Sequence, residues 1–300
     1  MRTYKTNQIK NIVLLGNSGS GKTTLAEAML FEGGVIDRRG DVEHKNTVSD
    51  FHPIEHENQT SMFSSVMYTE YNDHKINILD CSGADDFVGG TVSSLHVADA
   101  GVLLVSAQSG VETGTEIHGR WLDRLHKPAI IVINKCDHDT AHYEKAIESI
   151  RDSFGSNVVL AQYPVNAGPG FDSIVDIIQM KLYKFPKEGG KPEITEIPEE
   201  EMKQAEDLRN ELIEKAAEND EALMELFFEN DTLTEEEMRS GITAGIISRG
   251  MFPVFCLSAR RNMGVGQRPP GATPSRPQEN AQTCRAGSQG NDDPKQMLHE

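Results

Sequence analysis

A glycine-rich turn between an apolar run and a helical run constrains this chain more than any other feature. Ile12-Val13-Leu14-Leu15 reads as a buried strand. The turn follows as Gly16, Asn17, Ser18, Gly19, Ser20, Gly21, Lys22 and Thr23, and Thr24 opens a helical stretch that continues to Leu30. Strand, glycine loop and helix in this order suit a loop that wraps a phosphate. Glycine lets successive backbone N–H groups face one anion, and the helix N-terminus adds partial positive charge. Lysine at this position reaches the outer phosphates, and the threonine hydroxyl offers a ligand to Mg²⁺. The bland alternative is a glycine turn of no function, and the Lys-Thr pair with its flanks weighs against it. The loop by itself names neither the nucleotide nor a reaction.

The remaining pattern supplies the scaffold. Residues 32–62 form a long polar stretch, and a connection of that length inside a domain is usually functional or mobile. Residues 63–71 and 75–80 read as strands split by Asn72-Asp73, too short a gap for a crossover, so they pair as an antiparallel hairpin. Apolar runs recur at 101–106 and 129–134, each followed by a helical pattern, at 113–125 and 141–154. Buried strands alternating with helices predict an α/β, doubly wound sheet of the P-loop NTPase type, mixed because of the hairpin. From Gly155 the texture changes. Residues 158–165 read as one strand, and 174–182 are apolar with a lysine end. Residues 198–217 read as an amphipathic helix with Met202, Ala205, Leu208, Leu212 and Ala216 on one stripe. Residues 221–228 continue as helix, and Thr234 with Glu237 forms a capping box for another. An apolar strand returns at 253–257 and ends in Ser258-Ala259. The expected layout is a first domain of 1–154 and 251–267, an inserted α+β subdomain of 155–250, and a disordered C-terminal tail of 268–300, which is rich in Gly, Pro, Gln, Ser and Asn.

A chain of 300 residues has room for one large domain or two modest ones. Its formal charge of -18 argues against general nucleic-acid binding, so no DNA partner is expected. No apolar run is long enough for a bilayer, and Met1-Arg2-Thr3-Tyr4-Lys5 lacks a signal-peptide core. Cys81, Cys136, Cys256 and Cys284 show no paired spacing and read as reduced packing residues of a cytoplasmic protein. A monomer with no membrane partner is expected.

A second loop chooses the base. Asn134-Lys135-Cys136-Asp137 ends a buried strand. A carboxylate at Asp137 accepts hydrogen bonds from the ring N–H and the exocyclic amine of guanine, which adenine does not offer in that arrangement. Charge-assisted bonds of about 1.5–3 kcal/mol each make this a strong preference. Lys135 would lay its methylenes along the base, Asn134 would tie the loops together, and Ser258-Ala259 would bring a backbone N–H to the guanine carbonyl. Taken alone, the four residues also fit a polar turn; the phosphate loop upstream favours the guanine reading.

With these elements in view the chain resembles a translational GTPase. Over residues 7–265 it is similar to the N-terminal G domain of elongation factor G and its elongation-factor-G-like relatives, including the G′ insert, whose helix pattern the 197–225 stretch resembles. The resemblance implies GTP/GDP and Mg²⁺ as cofactors and action on the ribosome in translocation or a related step. It places Gly16, Gly21, Lys22 and Thr23 in the P-loop, and Asp80 and Gly83 in switch II. There Asp80 would orient a magnesium-bound water and the Gly83 N–H would face the γ-phosphate. Asn134, Lys135, Asp137, Ser258 and Ala259 would form the base site.

Departures from the family pattern fall at the chemistry. The switch II histidine that positions the attacking water is replaced by Ala84. A water-positioning group contributes ~10²–10⁴-fold, so very slow or absent hydrolysis is expected. A histidine elsewhere, such as His52 or His56 in the long polar stretch, is the candidate substitute, but surface histidines are ordinarily just solvated. Switch I reads Asn58-Gln59-Thr60-Ser61, with Ser61 at the magnesium threonine and Thr60 as a rival. Gly19 stands where the family carries an aspartate, and Cys81-Ser82 replace Thr-Pro. After Val265 the family's next helix is not recognisable. A fragment with a foreign or frame-shifted end is the simplest account, and one flank of the sheet is expected to lose its cover. A normally active, ribosome-stimulated GTPase and an inert truncated fragment stand as alternatives.

Overall fold

The computed structural model describes residues 3–187 and 190–266; the expected disordered tail lies outside the described residues. In chain order the elements are β1 (Ile9–Leu15), α1 (Lys22–Glu32), α2 (Pro53–Asn58), β2 (Ser65–Tyr71), β3 (His74–Asp80), α3 (Val88–Val97), β4 (Ala100–Ser106), α4 (Thr113–Arg124), β5 (Ala129–Asn134) and α5 (Tyr143–Phe154). There follow β6 (Val158–Leu160), β7 (Gln162–Pro164), β8 (Ser173–Asp176), β9 (Lys181–Lys184), β10 (Glu193–Thr195), α6 (Glu199–Ala217), α7 (Glu221–Asn230), α8 (Glu235–Ser248) and β11 (Phe252–Cys256).

The main sheet runs β2-β3-β1-β4-β5-β11-β6, and every pair is parallel except β2 with β3. β4 and β5 are buried at every position, as strands covered on both faces must be. β2, at the edge, alternates: Met67 and Thr69 point inward while Val66 and Tyr68 are exposed. The hairpin turns at Asn72 (φ 46°) and Asp73 (φ 61°), and positive φ at both residues matches the right-handed twist of the strands. β1 has β3 on one side and β4 on the other, so the chain departs in both directions from its carboxyl end and opens a crevice there.

Three features differ from the sequence reading. The 158–165 run is two strands: β6 closes the main sheet beside β11, and β7 starts a second sheet of order β10-β9-β8-β7. Ala161 joins them, its N–H donating to Val254 O in one sheet and its carbonyl accepting from Ile177 N in the other. The main sheet thus extends past the expected boundary at residue 155 as far as Leu160. α3 forms although Val88-Gly89-Gly90-Thr91 is a poor helix former. Burial of Thr91 and Leu95 carries it instead. A short α2 interrupts the long polar stretch, and Pro198 stands at the cap of α6 rather than inside its first turn.

The stripe on α6 is as read: Ala205, Leu212 and Ala216 are buried, with Met202 and Leu208 packed beside them. The Thr234 capping box forms, with Thr234 N donating to Glu237 Oε2 at 2.8 Å. Arg249 closes α8 and ties it back to the main domain, donating to Leu122 O at 2.9 Å and to Lys127 O and Asp123 Oδ1. On one face of the main sheet Ile12, Val102, Ile130, Val132, Phe255 and Leu257 line an apolar hollow of about 270 Å³ that reaches Gly266. Cys81, Cys136 and Cys256 are buried free thiols.

Candidate nucleotide-binding site

The carboxyl ends of the central strands open into a cleft of about 740 Å³. Its floor is the glycine loop, its far wall is the loop after β5, and its roof is the 33–64 connection, which contributes Arg38, Asp41, Asn46, Asp50 and Ser61 among others. Ser18 and Gly19 are exposed at the loop tip, Asn17 and Thr24 are half-buried, and Gly16, Ser20, Lys22 and Thr23 are buried. Gly21 sits at φ 95°, and a Cβ there would lie 2.3 Å from Asn134 Nδ2, so only glycine lets the loop pass this close to the base loop. Lys22 donates to Gly16 O and Asn17 O, both at 3.0 Å. Burial lowers its pKa, opposed by the charges of Asp80 and Asp50.

At the phosphate end Thr23 Oγ1 donates to Asp80 Oδ2 at 2.8 Å and lies 3.0 Å from Ser61 Oγ. Asp80 Oδ1 and the neighbouring Ser49 Oγ are buried without a hydrogen bond of good geometry. Burial pushes Asp80 up to about 6 against the pull of Lys22, and burial likewise raises Asp50. Two hydroxyls and a carboxylate with an unpaired oxygen suit a hard cation such as Mg²⁺, which takes few protein ligands and completes its shell with phosphate and water. No group of three His, Cys, Asp or Glu able to hold a metal occurs among the described residues. Ser61, not Thr60, supplies the hydroxyl beside Thr23 Oγ1, since Thr60 Oγ1 turns back to Asn58 O. Gly83 is packed on the glycine loop: a Cβ would come within 2.3 Å of Lys22 Nζ and 2.5 Å of Ser18 N. Ala84 follows, half-buried, with its N–H on Ser82 Oγ at 3.2 Å and no side-chain polar group to offer. Neither His52, stacked between Phe51 and Phe63, nor His56, bonded to Asp50 O, lines the cleft.

At the base end Asn134 joins three segments. Its Nδ2 donates to Ser20 O at 2.9 Å, and its Oδ1 accepts from Lys135 N at 2.8 Å and Ala259 N at 3.0 Å. Lys135 reaches Gln108 Oε1 at 3.3 Å. Asp137, 15% exposed, faces Arg261 Nε at 3.5 Å, and Arg261 also donates to Phe171 O at 3.3 Å. Ser258 and Ala259 follow β11 in a tight turn beside Asn134. Ser258 N donates to Met263 O and Ala259 N to Asn134 Oδ1, both at 3.0 Å, so the tight turn uses both donors internally. Arg260, the next residue, lines the cleft wall.

Several residues that shape the site were not singled out from sequence. Glu27, buried on α1, accepts from Gly40 N at 2.7 Å and Val48 N at 2.5 Å. Glu55 accepts from Met62 N at 2.9 Å and Phe63 N at 3.0 Å. Arg39 donates to Ala259 O at 2.9 Å, and His118 accepts from Gly16 N at 2.9 Å. Glu27 within Leu25-Ala26-Glu27-Ala28 and His118 beside the buried Thr115, Gly119 and Leu122 were polar residues on apolar faces, the one signal available.

Known proteins agree with this geometry. A crystal structure of a protein from Thermus thermophilus is similar to this chain, with a TM-score of 0.81 and 31% identity over 86% of this chain. The match covers 39% of that protein, so the chain spans about two fifths of its length. Residues 7–269 match the family described as the elongation factor Tu GTP binding domain, whose members bind GTP and GDP, generally with Mg²⁺. A parallel-dominated α/β sheet with a glycine loop at its carboxyl edge, matched over most of its length, belongs to that family: this chain is a member of the elongation factor Tu GTP binding domain family.

Proposed function

We propose that this chain is the GTP-binding domain of an elongation-factor-G-like translation factor, which holds GTP or GDP with Mg²⁺ and acts on the ribosome in the cytoplasm, in translocation or a related step. One observation carries the reading. A buried lysine with a Thr23–Asp80–Ser61 cluster and a carboxylate, Asp137, face opposite ends of one cleft, bridged by Asn134. In this reading loop N–H groups and Lys22 hold the phosphates. Thr23, Ser61 and, through water, Asp80 hold Mg²⁺, which when bound neutralises charge between the outer phosphates. Asp137 pairs with the guanine edge, and Lys135 stacks its stem. Gly83, packed on the loop, is the switch II contact that a γ-phosphate would displace. The second sheet with α6–α8, residues 161–251, is read as the inserted G′-type subdomain.

Ala84 leaves no group to hold an attacking water, so the domain binds GTP and cleaves it very slowly. Its output is then the bound conformation itself, since a ligand shifts an equilibrium without being cleaved. Calorimetry with GTP, GDP and ATP tests the binding. At 100 times its dissociation constant the preferred nucleotide adds about 2.7 kcal/mol of stability, and no melting shift with Mg²⁺–GTP favours an inert fragment. Single-turnover hydrolysis with and without ribosomes tests the second part, and fast ribosome-stimulated release of phosphate sinks it.

A further inference from the structure

α4 turns a histidine toward the core. Its buried positions are Gly114, Thr115, His118, Gly119 and Leu122, and His118 is 2% exposed. An imidazole is expensive there unless its nitrogens are bonded. Nδ1 accepts the N–H of Gly16 at 2.9 Å, where β1 ends and the glycine loop begins. Because an N–H points at Nδ1, the ring proton sits on Nε2. Gly16 has φ 129°, and an added Cβ would meet Leu104 O at 2.2 Å, so the backbone at this corner has no room to shift.

Both backbone groups of Gly16 are gripped, the N–H by His118 and the carbonyl by Lys22 Nζ at 3.0 Å. The two grips differ in what a ligand does to them. A phosphate competes with Gly16 O and Asn17 O for the donors of the Lys22 ammonium. The Gly16 N–H faces the core, so nothing in the cleft competes for His118. We propose that His118 is a positioning residue of the cradle, the acceptor that pins the first residue of the loop whether or not Lys22 is engaged, so that the N–H groups beyond it converge on one anion. This rests on the cleft being a nucleotide site. The acceptor is present near neutral pH: burial, and then the Lys22 charge, hold the imidazole down to about 4.

The test uses the full chain and a fluorescent N-methylanthraniloyl-GDP, with affinity and release rate measured for wild type, His118→Leu and His118→Asn. Leucine fills the space without an acceptor, whereas asparagine keeps an oxygen close to the place of Nδ1. An orphaned buried N–H weakens binding roughly 5- to 100-fold, mostly as faster release, in the leucine variant, and asparagine restores near-wild-type values. Should the leucine variant fail to fold, His118→Gln takes its place, because its oxygen falls near Nε2 and misses Gly16; Gln then binds weakly and Asn well. Equal affinity in all variants, or equal loss with asparagine, overturns the proposal. Wild type that binds no guanine nucleotide overturns the nucleotide reading itself, a result visible before any variant is made.

Discussion

Glu27 offers the sharpest test of how the roof of the cleft is held. Its carboxylate is 2% exposed and accepts two backbone N–H groups from the connection above it, Gly40 at 2.7 Å and Val48 at 2.5 Å. Glu27→Gln keeps the size and changes one acceptor into a donor. One bond is lost, a donor faces a donor, and the surviving bond is no longer charge-assisted. A charge-assisted bond is worth about 1.5–3 kcal/mol, and a buried N–H left unpaired costs about 1–3 kcal/mol, so the connection should be weakened by roughly 2–4 kcal/mol. α1 itself stays anchored through Leu25, Ala26, Ala28 and Leu30, all in the core. The loss therefore appears as local opening before global unfolding. Hydrogen exchange of amides 38–50 is the assay, and protection should fall roughly 30- to 1000-fold, at about 1.4 kcal/mol per tenfold. Exchange in α1 and β4 should change far less. If amides 38–50 exchange as in wild type, Glu27 is not the anchor. If all amides accelerate together, the connection and the core open as one unit, and local anchoring by Glu27 is refuted.

Ala84→His should raise single-turnover GTP hydrolysis by ~10²–10⁴-fold if a missing water-positioning group is the limitation, and no gain would discard that explanation. Asp137→Asn replaces a double acceptor with one donor and one acceptor, which suits xanthine rather than guanine; competition binding should show GTP affinity falling and XTP affinity rising, and a variant that still prefers GTP speaks against Asp137 as the base reader. In nucleotide-free, Mg²⁺-free protein two buried groups act on stability with opposite signs. His118 is lowered from 6.5 to about 4, so what it contributes is complete above pH 6.5 and is lost as pH falls toward 4. Asp80 is raised from 3.8 to about 6, so the fold favours its neutral form, and that contribution is present below pH 3.8 and lost as pH rises through 6. At about 1.36 kcal/mol per pH unit each amounts to ~3 kcal/mol. His118→Asn removes the first alone, so variant minus wild-type stability from urea titrations should grow by ~3 kcal/mol between pH 6.5 and 4; a flat difference refutes the depressed imidazole.

Much of this protein was readable without coordinates because the signals are local. The glycine spacing, the Lys-Thr pair, Asn134 to Asp137, the Asn72-Asp73 turn and the Thr234 box each need only a few neighbouring residues to express their chemistry, and the fully buried strands announce themselves as unbroken apolar runs. Tertiary structure decided what depends on partners far along the chain. α3 forms despite Gly89-Gly90 because the core takes Leu95. The 158–165 run divides at Ala161 because two different sheets claim its backbone. The backbone donors of Ser258 and Ala259 find their acceptors in Met263 and Asn134. Glu27, Arg39 and His118 acquire their tasks from residues up to 220 positions away. A buried polar side chain is silent in sequence until its partner is known, because desolvation makes it costly alone and useful only when the fold supplies the other half of the bond.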